Sequence, residues 1–296
     1  MVCPLCSEQK YMTLSQVDVA VLADRWKLNF GFDPFVGKFT EKTIDRRQCV
    51  DCALIYHSPE FLGDADFYAQ LSKHDWYYEA EKWEFHRALD VIKSARPETL
   101  LELGCGAGEF LLKAATAVNY SLGLDINPDA LEAARKRGLN VRQDDIEKLQ
   151  EKFDMIVMFE VLEHLYRPSQ ILQALAGVLN PGGVLLVSVP NPDGYLKDVD
   201  LALLDMPPHH NTAWKKETFE FCARKLGLEI VRYETESLRY VHYRGLLSSL
   251  IHRETKNKYL RKVQQLIAIL MAPVLFISGG NKIVGQTHLA VFKKSI

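Results

Sequence analysis

Apolar and polar positions change period along this chain, and the changes mark its elements. From Thr99 onward, short continuous apolar runs alternate with stretches of helical period. Thr99 to Leu103, Ser121 to Asp125, Val141 to Gln143, Met155 to Phe159 and GVLLVSVP ending at Pro190 read as strands. LEIVRYETE and THLAVFKK read as two more. Between them lie helix-like segments: FLLKAATAV, PDALEAARKRG, Pro168 to Val178 and TFEFCARKLG. PDALEAARKRG carries proline at its start and Gly138 at its end, the usual asymmetry of helix termini. Strands alternating with helices predict an α/β fold with a doubly wound parallel sheet. Residues 61–98 read as helices crowded with Phe67, Tyr68, Trp76, Tyr77, Tyr78, Trp83 and Phe85. Residues 1–60 follow neither pattern, and their middle, GFDPFVGKF, is turn-rich and aromatic.

The first predicted strand of the core runs into LELGCGAGEF, and an acid, Asp125, follows about twenty residues beyond the glycines. Glycine lets backbone approach a ligand without an intervening Cβ. An acid at the tip of the second strand suits a ribose diol, so the layout is that of a nucleoside-binding βαβ unit. The dinucleotide pattern GxGxxG would place its third glycine at position 109, where Glu109 stands. Gly104, Gly106 and Gly108 instead form GxGxG, preceded by Glu102. An acid beside the loop suits a cationic amino group better than a pyrophosphate.

These residues resemble motif I of the class I S-adenosylmethionine-dependent methyltransferases. The segment Phe153 to Asn191 resembles the fourth strand, following helix and fifth strand of that family, in the subgroup whose strand ends in E-V-L-E-H. Ubiquinone-type and sugar methyltransferases belong to that subgroup. The resemblance implies a Rossmann-like seven-stranded sheet with a final antiparallel strand. It also implies S-adenosylmethionine bound by Glu102, Gly104, Cys105, Gly106 and Gly108 at its amino-acid end. Asp125 is then expected at the ribose, Ile126 against the adenine, and Asp145 with Ile146 at the adenine edge. Asp144 is the alternative if the register shifts by one. Phe159 and Glu160 end the fourth strand, and Tyr77 or Tyr78 is expected in a lid over the methionine end.

The six cysteines change the picture at the N-terminus. Cys3, Cys6, Cys49 and Cys52 form two C-x-x-C knuckles, the spacing of a tetrahedral zinc site. Reduced thiols or disulfides are the alternatives. Four thiolates leave no open position, so the expected zinc is structural. The knuckles resemble a region that precedes some sugar and polysaccharide methyltransferases. The domain reading is therefore a zinc-binding module over 1–60, an aromatic helical lid or linker over 61–98, and a methyltransferase domain over 99–296.

A helical insertion over 237–286 precedes the last strand. It joins a basic stretch, RETKNKYLRK, to an apolar run of about a dozen residues, shorter than the roughly twenty a bilayer crossing needs. It reads as a buried helix over the acceptor pocket or a dimer contact, with peripheral membrane contact through 253–278 as the alternative.

Net charge is −2 with no long basic run, which disfavours a nucleic-acid partner. MVCPLCSEQK does not read as a secretory signal, so the expected location is cytoplasmic, with membrane association open. For chemistry beyond the cofactor, His164 follows the strand end. It reads as a base, a structural residue, or a partner of Glu160 or Glu163 in holding a metal. PPHHN supplies His209 and His210 in a loop where acceptor contacts are expected. The reaction implied is methyl transfer to a hydroxyl of a small-molecule acceptor, a sugar-pathway, phenolic or lipid-linked substrate. Protein or RNA methylation, and a non-catalytic cofactor-binding module that contacts partners through the knuckles, are the alternatives.

Overall fold

The computed structural model describes residues 2–74, 80–194, 202–238 and 284–296, with isolated positions between 259 and 270. The chain begins with β1 (Tyr11–Asp18), α1 (Val19–Phe30), β2 (Thr43–Cys49), β3 (Ile55–Ser58), α2 (Ala65–Leu71) and α3 (Trp83–Ala95). The alternating region follows as β4 (Thr99–Leu103), α4 (Glu109–Ala114), β5 (Tyr120–Leu124), α5 (Pro128–Lys136), β6 (Val141–Arg142) and β7 (Phe153–Phe159). Next come α6 (Pro168–Val178), β8 (Leu179–Pro190), β9 (Thr212–Ala213), α7 (Lys216–Leu226), β10 (Leu228–Ser237) and β11 (Val284–Lys294).

Seven strands form one sheet in the order β10-β11-β8-β7-β4-β5-β6. The pairs among β6, β5, β4, β7 and β8 are parallel, and β11 runs antiparallel to both neighbours. This is the doubly wound sheet expected, with the expected reversed strand. Its physical basis is visible in β7, whose residues are buried except Asp154. A parallel strand covered on both faces has no solvent side to carry polar residues. In β4, Leu101 enters the core on one face and Leu100 the core on the other, the period-two alternation of a pleated strand. Asp154 joins the strand starts: its carboxylate accepts from the N–H groups of Glu98 and Thr99, the Thr99 hydroxyl and the Asn180 amide. Strand order reverses between β4 and β7, and the carboxyl ends there open the crevice where such sheets bind ligands.

The N-terminal strands form a second, antiparallel sheet in the order β1-β2-β3-β9. Its fourth strand comes from beyond β8, so this sheet includes a strand from the 99–296 segment. The apolar face of α1 (Val19, Leu22, Ala23, Trp26) packs with Phe35, Ile44, Phe67, Leu71 and Met206. Cys3, Leu5, Cys49, Cys52 and Leu54 share a core with Trp214, Phe219 and Cys222. Residues 1–60 and α7 are thus packed against each other.

Among the described residues no helix is long and apolar enough to cross a membrane. Most of the 237–286 insertion, including most of 253–278, lies outside the described residues. Within it, Tyr259, Leu260, Val263, Leu266, Ile267 and Leu270 fall at helical positions with exposed side chains.

Candidate active site

The glycine loop leaves β4 at the switch point. Gly104, Gly106 and Gly108 all have positive φ, at 79°, 51° and 81°. Side-chain residues rarely adopt that conformation. A Cβ would also force a neighbouring side chain to shift at two of these positions. At Gly104 it would lie 2.4 Å from Val161 Cγ2, and at Gly108 2.2 Å from Leu139 Cδ1. Cys105 turns its thiol inward, against Gly123, and leaves only its backbone toward the crevice.

Asp125 directly follows β5 and is half-buried. Its Oδ2 accepts from the Gly106 N–H at 2.7 Å and its Oδ1 from the Asn127 N–H at 2.8 Å. The acid therefore holds the loop in place while retaining lone pairs for a further partner. Ile126 beside it is 84% exposed, an apolar side chain left without a protein neighbour to cover it. Glu102 is 3% exposed, and its Oε2 has no hydrogen-bond partner. Burial, followed by the nearby Asp125 charge, pushes its carboxyl well above the usual range. A buried acid in that state favours a cationic partner.

Other expected cofactor residues fall in less open places. Asp145 is exposed, caps the turn at Ile146 by accepting from the Glu147 N–H at 3.0 Å, and lies 3.5 Å from Lys148. Asp144 pairs with Arg142. Ile146 is 4% exposed within the core, so in this structure its side chain does not line an open adenine face. Phe159 packs between Phe85 and Phe110, at ring separations of 5.0 and 4.9 Å. Tyr77 and Tyr78 lie outside the described residues.

The second half of the crevice is built behind the tip of β7. Glu160 has φ 54°, and one of its carboxylate oxygens is buried without a partner. A short turn, Leu162–His164, then presents Glu163 and His164. The PPHHN loop docks on that turn. The Asn211 N–H donates to the Glu163 carbonyl at 2.9 Å, and the Thr212 hydroxyl donates to the Leu162 carbonyl at 3.3 Å. His209 and His210 are thereby brought beside His164, with ring separations of 4.9 and 4.8 Å. The three histidines expected from sequence thus form one cluster.

Burial sets the electrostatics of this cluster. It lowers His164 to about 4 and holds His209 and His210 well below the ordinary histidine value. It raises Glu163 to about 8 and Glu160 well above the usual carboxyl range, the Glu163 charge adding to the latter. All three imidazoles are neutral near pH 7 and able to offer a lone pair.

Sequence reasoning missed several neighbours. The Tyr68 hydroxyl of α2 lies 3.2 Å from His164 Nδ1, and Asp205 Oδ1 lies 3.2 Å from His210 Nδ1. His57 on β3 is buried, and its Nδ1 lies 3.2 Å from the Asn211 carbonyl. Tyr68 and His57 come from segments distant from the histidines, and no spacing along the chain relates them; Asp205 precedes the PPHHN loop on the same stretch of chain. The two knuckles also meet: Cys3 Sγ lies 3.5 Å from Cys52 Sγ, Cys6 Sγ lies 3.4 Å from Cys49 Sγ, and all six cysteines are free.

A loop of three left-handed glycines, a buried acid before it and an acid holding it form the arrangement expected for an adenosyl cofactor with a charged amino group. A family model described as a methyltransferase domain matches residues 78–233, more than half of the chain. The chain belongs to that methyltransferase family. It is an S-adenosylmethionine-dependent methyltransferase. A ubiquinone biosynthesis O-methyltransferase of Hahella chejuensis is 30% identical to it over 176 residues, covering 52% of this chain and 74% of that protein. The Actinobacillus pleuropneumoniae protein of the same name is 37% identical over 106 residues, covering 31% of this chain and 45% of that one. A crystal structure of a SAM dependent methyltransferase from Archaeoglobus fulgidus shares the fold. It has a TM-score of 0.54 at 20% identity, over 77% of this chain and all of that one.

The residues present fit the cofactor of this methyltransferase. Glu102 has an unpartnered buried oxygen suited to the amino group, and Asp125 and Ile126 offer an acid beside an exposed apolar face.

Proposed function

We propose that this methyltransferase transfers the methyl group to a hydroxyl oxygen of a small molecule, a sugar-pathway or phenolic acceptor. The observation that carries this reading is the cluster of half-buried His164 with buried His209, His210 and Glu163 at the carboxyl end of β7, at the edge of the cofactor crevice. Oxygen needs its proton removed as the new bond forms, and a base whose pKa lies near the working pH does this best; Glu163, raised to about 8 by burial, is the group of the cluster nearest that range. The names of the relatives, which specify O-methyl transfer, point the same way.

S-adenosylmethionine supplies a methyl group on a sulfonium, whose departure as a thioether needs no acid. The chain's part is to align and to exclude water. Glu102 and the backbone of Gly104 to Gly108 orient the amino-acid end, Asp125 takes the ribose hydroxyls, and Ile126 and Asp145 flank the adenine. Glu160, Glu163 and the three histidines receive the acceptor and its proton.

Cys3, Cys6, Cys49 and Cys52 are assigned to a structural zinc. Their sulfur atoms lie within 4.8 Å of one another, and the 3.4 and 3.5 Å pairs approach the edge of about 3.8 Å expected around zinc. The exposed apolar positions from Tyr259 to Leu270 make contact with a membrane surface a companion reading. Flotation with anionic vesicles at low salt tests it, and protein left at the bottom of the gradient removes it.

The test of the main reading is transfer of a labelled methyl group from S-adenosylmethionine to a panel of phenols, sugar nucleotides and amines. Label in a phenolic or sugar ether is expected. Label only in amines or in protein overturns the oxygen assignment.

A further inference from the structure

Arg46 lies on β2, directly opposite His57 of β3 in the antiparallel ladder. Opposite residues project from the same face of a sheet, with Cβ atoms about 4.5 to 5.5 Å apart. The next residue, Arg47, belongs to the other face, where it pairs with Asp45 and lies over the Tyr11 ring. Arg46 is half-buried, and among the described residues its guanidinium makes no hydrogen bond, ion pair or ring contact. Burial works against its charge, and the charges of Asp205 and Asp193 offset only part of that cost. Both acids have closer partners. Asp205 Oδ1 is 3.2 Å from His210 Nδ1, and Asp193 Oδ1 is 3.7 Å from Lys215 Nζ. Arginine stays charged in proteins, so β2 carries a half-covered cation with no anion against it.

Two more polar groups beside it are unfilled. His57 Nδ1 is 3.2 Å from the Asn211 carbonyl oxygen, and its Nε2 is buried without a partner. A carbonyl only accepts, so the neutral ring carries its proton on Nδ1 and presents a lone pair at Nε2. Burial and the Arg46 charge lower His57 to about 4, which keeps it neutral near pH 7. The lone pair can take one guanidinium N–H and steady the fork. Asn211 is buried, its Oδ1 has no partner, and no side-chain hydrogen bond holds its amide among the described residues. An unheld amide can turn its NH₂ group to an acceptor. A fork of N–H donors beside an amide, with no carboxylate against it, is suited to an oxyanion. The place adjoins the histidine cluster. Asn211 directly follows His210, and its N–H donates to the Glu163 carbonyl at 2.9 Å.

We propose that Arg46, with the Asn211 amide, forms an anion subsite at the edge of the acceptor pocket, and that it takes a carboxylate or phosphate group carried by the acceptor. The planar guanidinium matches two oxygens of either group with two parallel N–H bonds. An acceptor anchored there by its anion is held in one orientation beside the histidine cluster. Discrimination follows from the same charge. A neutral molecule leaves the half-buried cation unpaired, and an anionic one pairs it. The N-terminal sheet thereby takes part in choosing the substrate. That the anion belongs to the acceptor rests on the oxygen-methylation reading above. The binding of an anion does not.

The experiment titrates the full chain, saturated with S-adenosylhomocysteine so that nothing turns over, with matched charged and neutral probes in a calorimeter. Benzoate and phenyl phosphate are set against phenol, and glucuronate and glucosyl phosphate against glucose. At least one charged probe is expected to bind about tenfold or more tightly than its neutral partner, and whether carboxylate or phosphate does so identifies the group. In Arg46→Gln that preference is expected to fall to within about twofold, with S-adenosylmethionine binding retained. A wild type that favours no charged probe overturns the proposal, as does an Arg46→Gln protein that keeps the preference. Arg46→Lys keeps the charge and removes the fork, and it decides the matter if the glutamine variant does not fold. A severalfold loss for the charged probes alone is expected there, and unchanged affinity refutes the assignment. Preference lost in the variant, with labelled methyl found only on nitrogen, would keep the subsite and remove the oxygen reading. Oxygen methylation with the same kcat/KM in wild type and Arg46→Gln would remove the subsite and leave the function standing.

Discussion

Replacing Asp125 by asparagine exchanges one carboxylate oxygen for an NH₂ group and tests the cofactor site at its centre. The two carboxylate oxygens accept separately, from Gly106 at 2.7 Å and from Asn127 at 2.8 Å. An amide keeps one acceptor oxygen and turns an NH₂ toward the other N–H. One charge-assisted bond is lost and a donor faces a donor. A hydrogen bond to a charged group is worth about 1.5–3 kcal/mol. Because the same carboxylate is assigned to the ribose hydroxyls, binding must restore the loop and make its contact with a weaker acceptor. A loss of about 2–3 kcal/mol in cofactor binding follows, roughly 30- to 150-fold in Kd. Isothermal calorimetry with S-adenosylmethionine on wild type and Asp125→Asn measures it, and urea unfolding of both confirms a folded variant. A folded variant whose Kd stays within about threefold of wild type would refute the assignment of Asp125 to both loop and ribose.

Gly104→Ala combines a φ of 79° with a Cβ 2.4 Å from Val161 Cγ2. A loss of about 1–3 kcal/mol in urea unfolding is expected, together with loss of cofactor binding, and an unaffected midpoint contradicts it. Chelating the metal from the four-cysteine site, or Cys49→Ser, should lower the melting temperature and release about one zinc per chain in a colorimetric assay, since this cluster is buried against α7. Equal melting with and without chelator would remove the structural zinc.

Burial lowers His288 to about 3, so between its unfolded value near 6.5 and that value the unfolded chain binds a proton that the folded one does not. Stability should therefore fall with pH across that window by up to about 1.4 kcal/mol per unit more in wild type than in His288→Gln. Parallel curves of urea midpoint against pH would show that His288 is not buried neutral.

Legibility followed the range of the interactions involved. β4 and α6 have the boundaries that periodicity and turn signals mark, Thr99–Leu103 and Pro168–Val178. Local hydrogen bonding and a buried apolar run specify such elements without distant help. The helix α1 was not anticipated, although Val19, Leu22, Ala23 and Trp26 carry its buried face at helical spacing. The signal lay in the sequence, hidden between the two knuckles. The glycine loop and Asp125 were legible because loop and acid lie within one βαβ unit. Ile146 was misleading, since adjacency to Asp145 along the chain places its side chain in the core.

By itself the sequence determined the alternating sheet, the cofactor loop and the two cysteine pairs, because each depends on residues close in the chain or on a short repeated spacing. Tertiary structure alone decided the rest. It carried β9 across to complete the N-terminal sheet, and in doing so laid the PPHHN loop on the Glu163–His164 turn. It also brought Tyr68 and His57 around the three histidines. Those contacts join segments as far apart as 154 positions, and packing of one sheet against another, rather than any local preference, selects them.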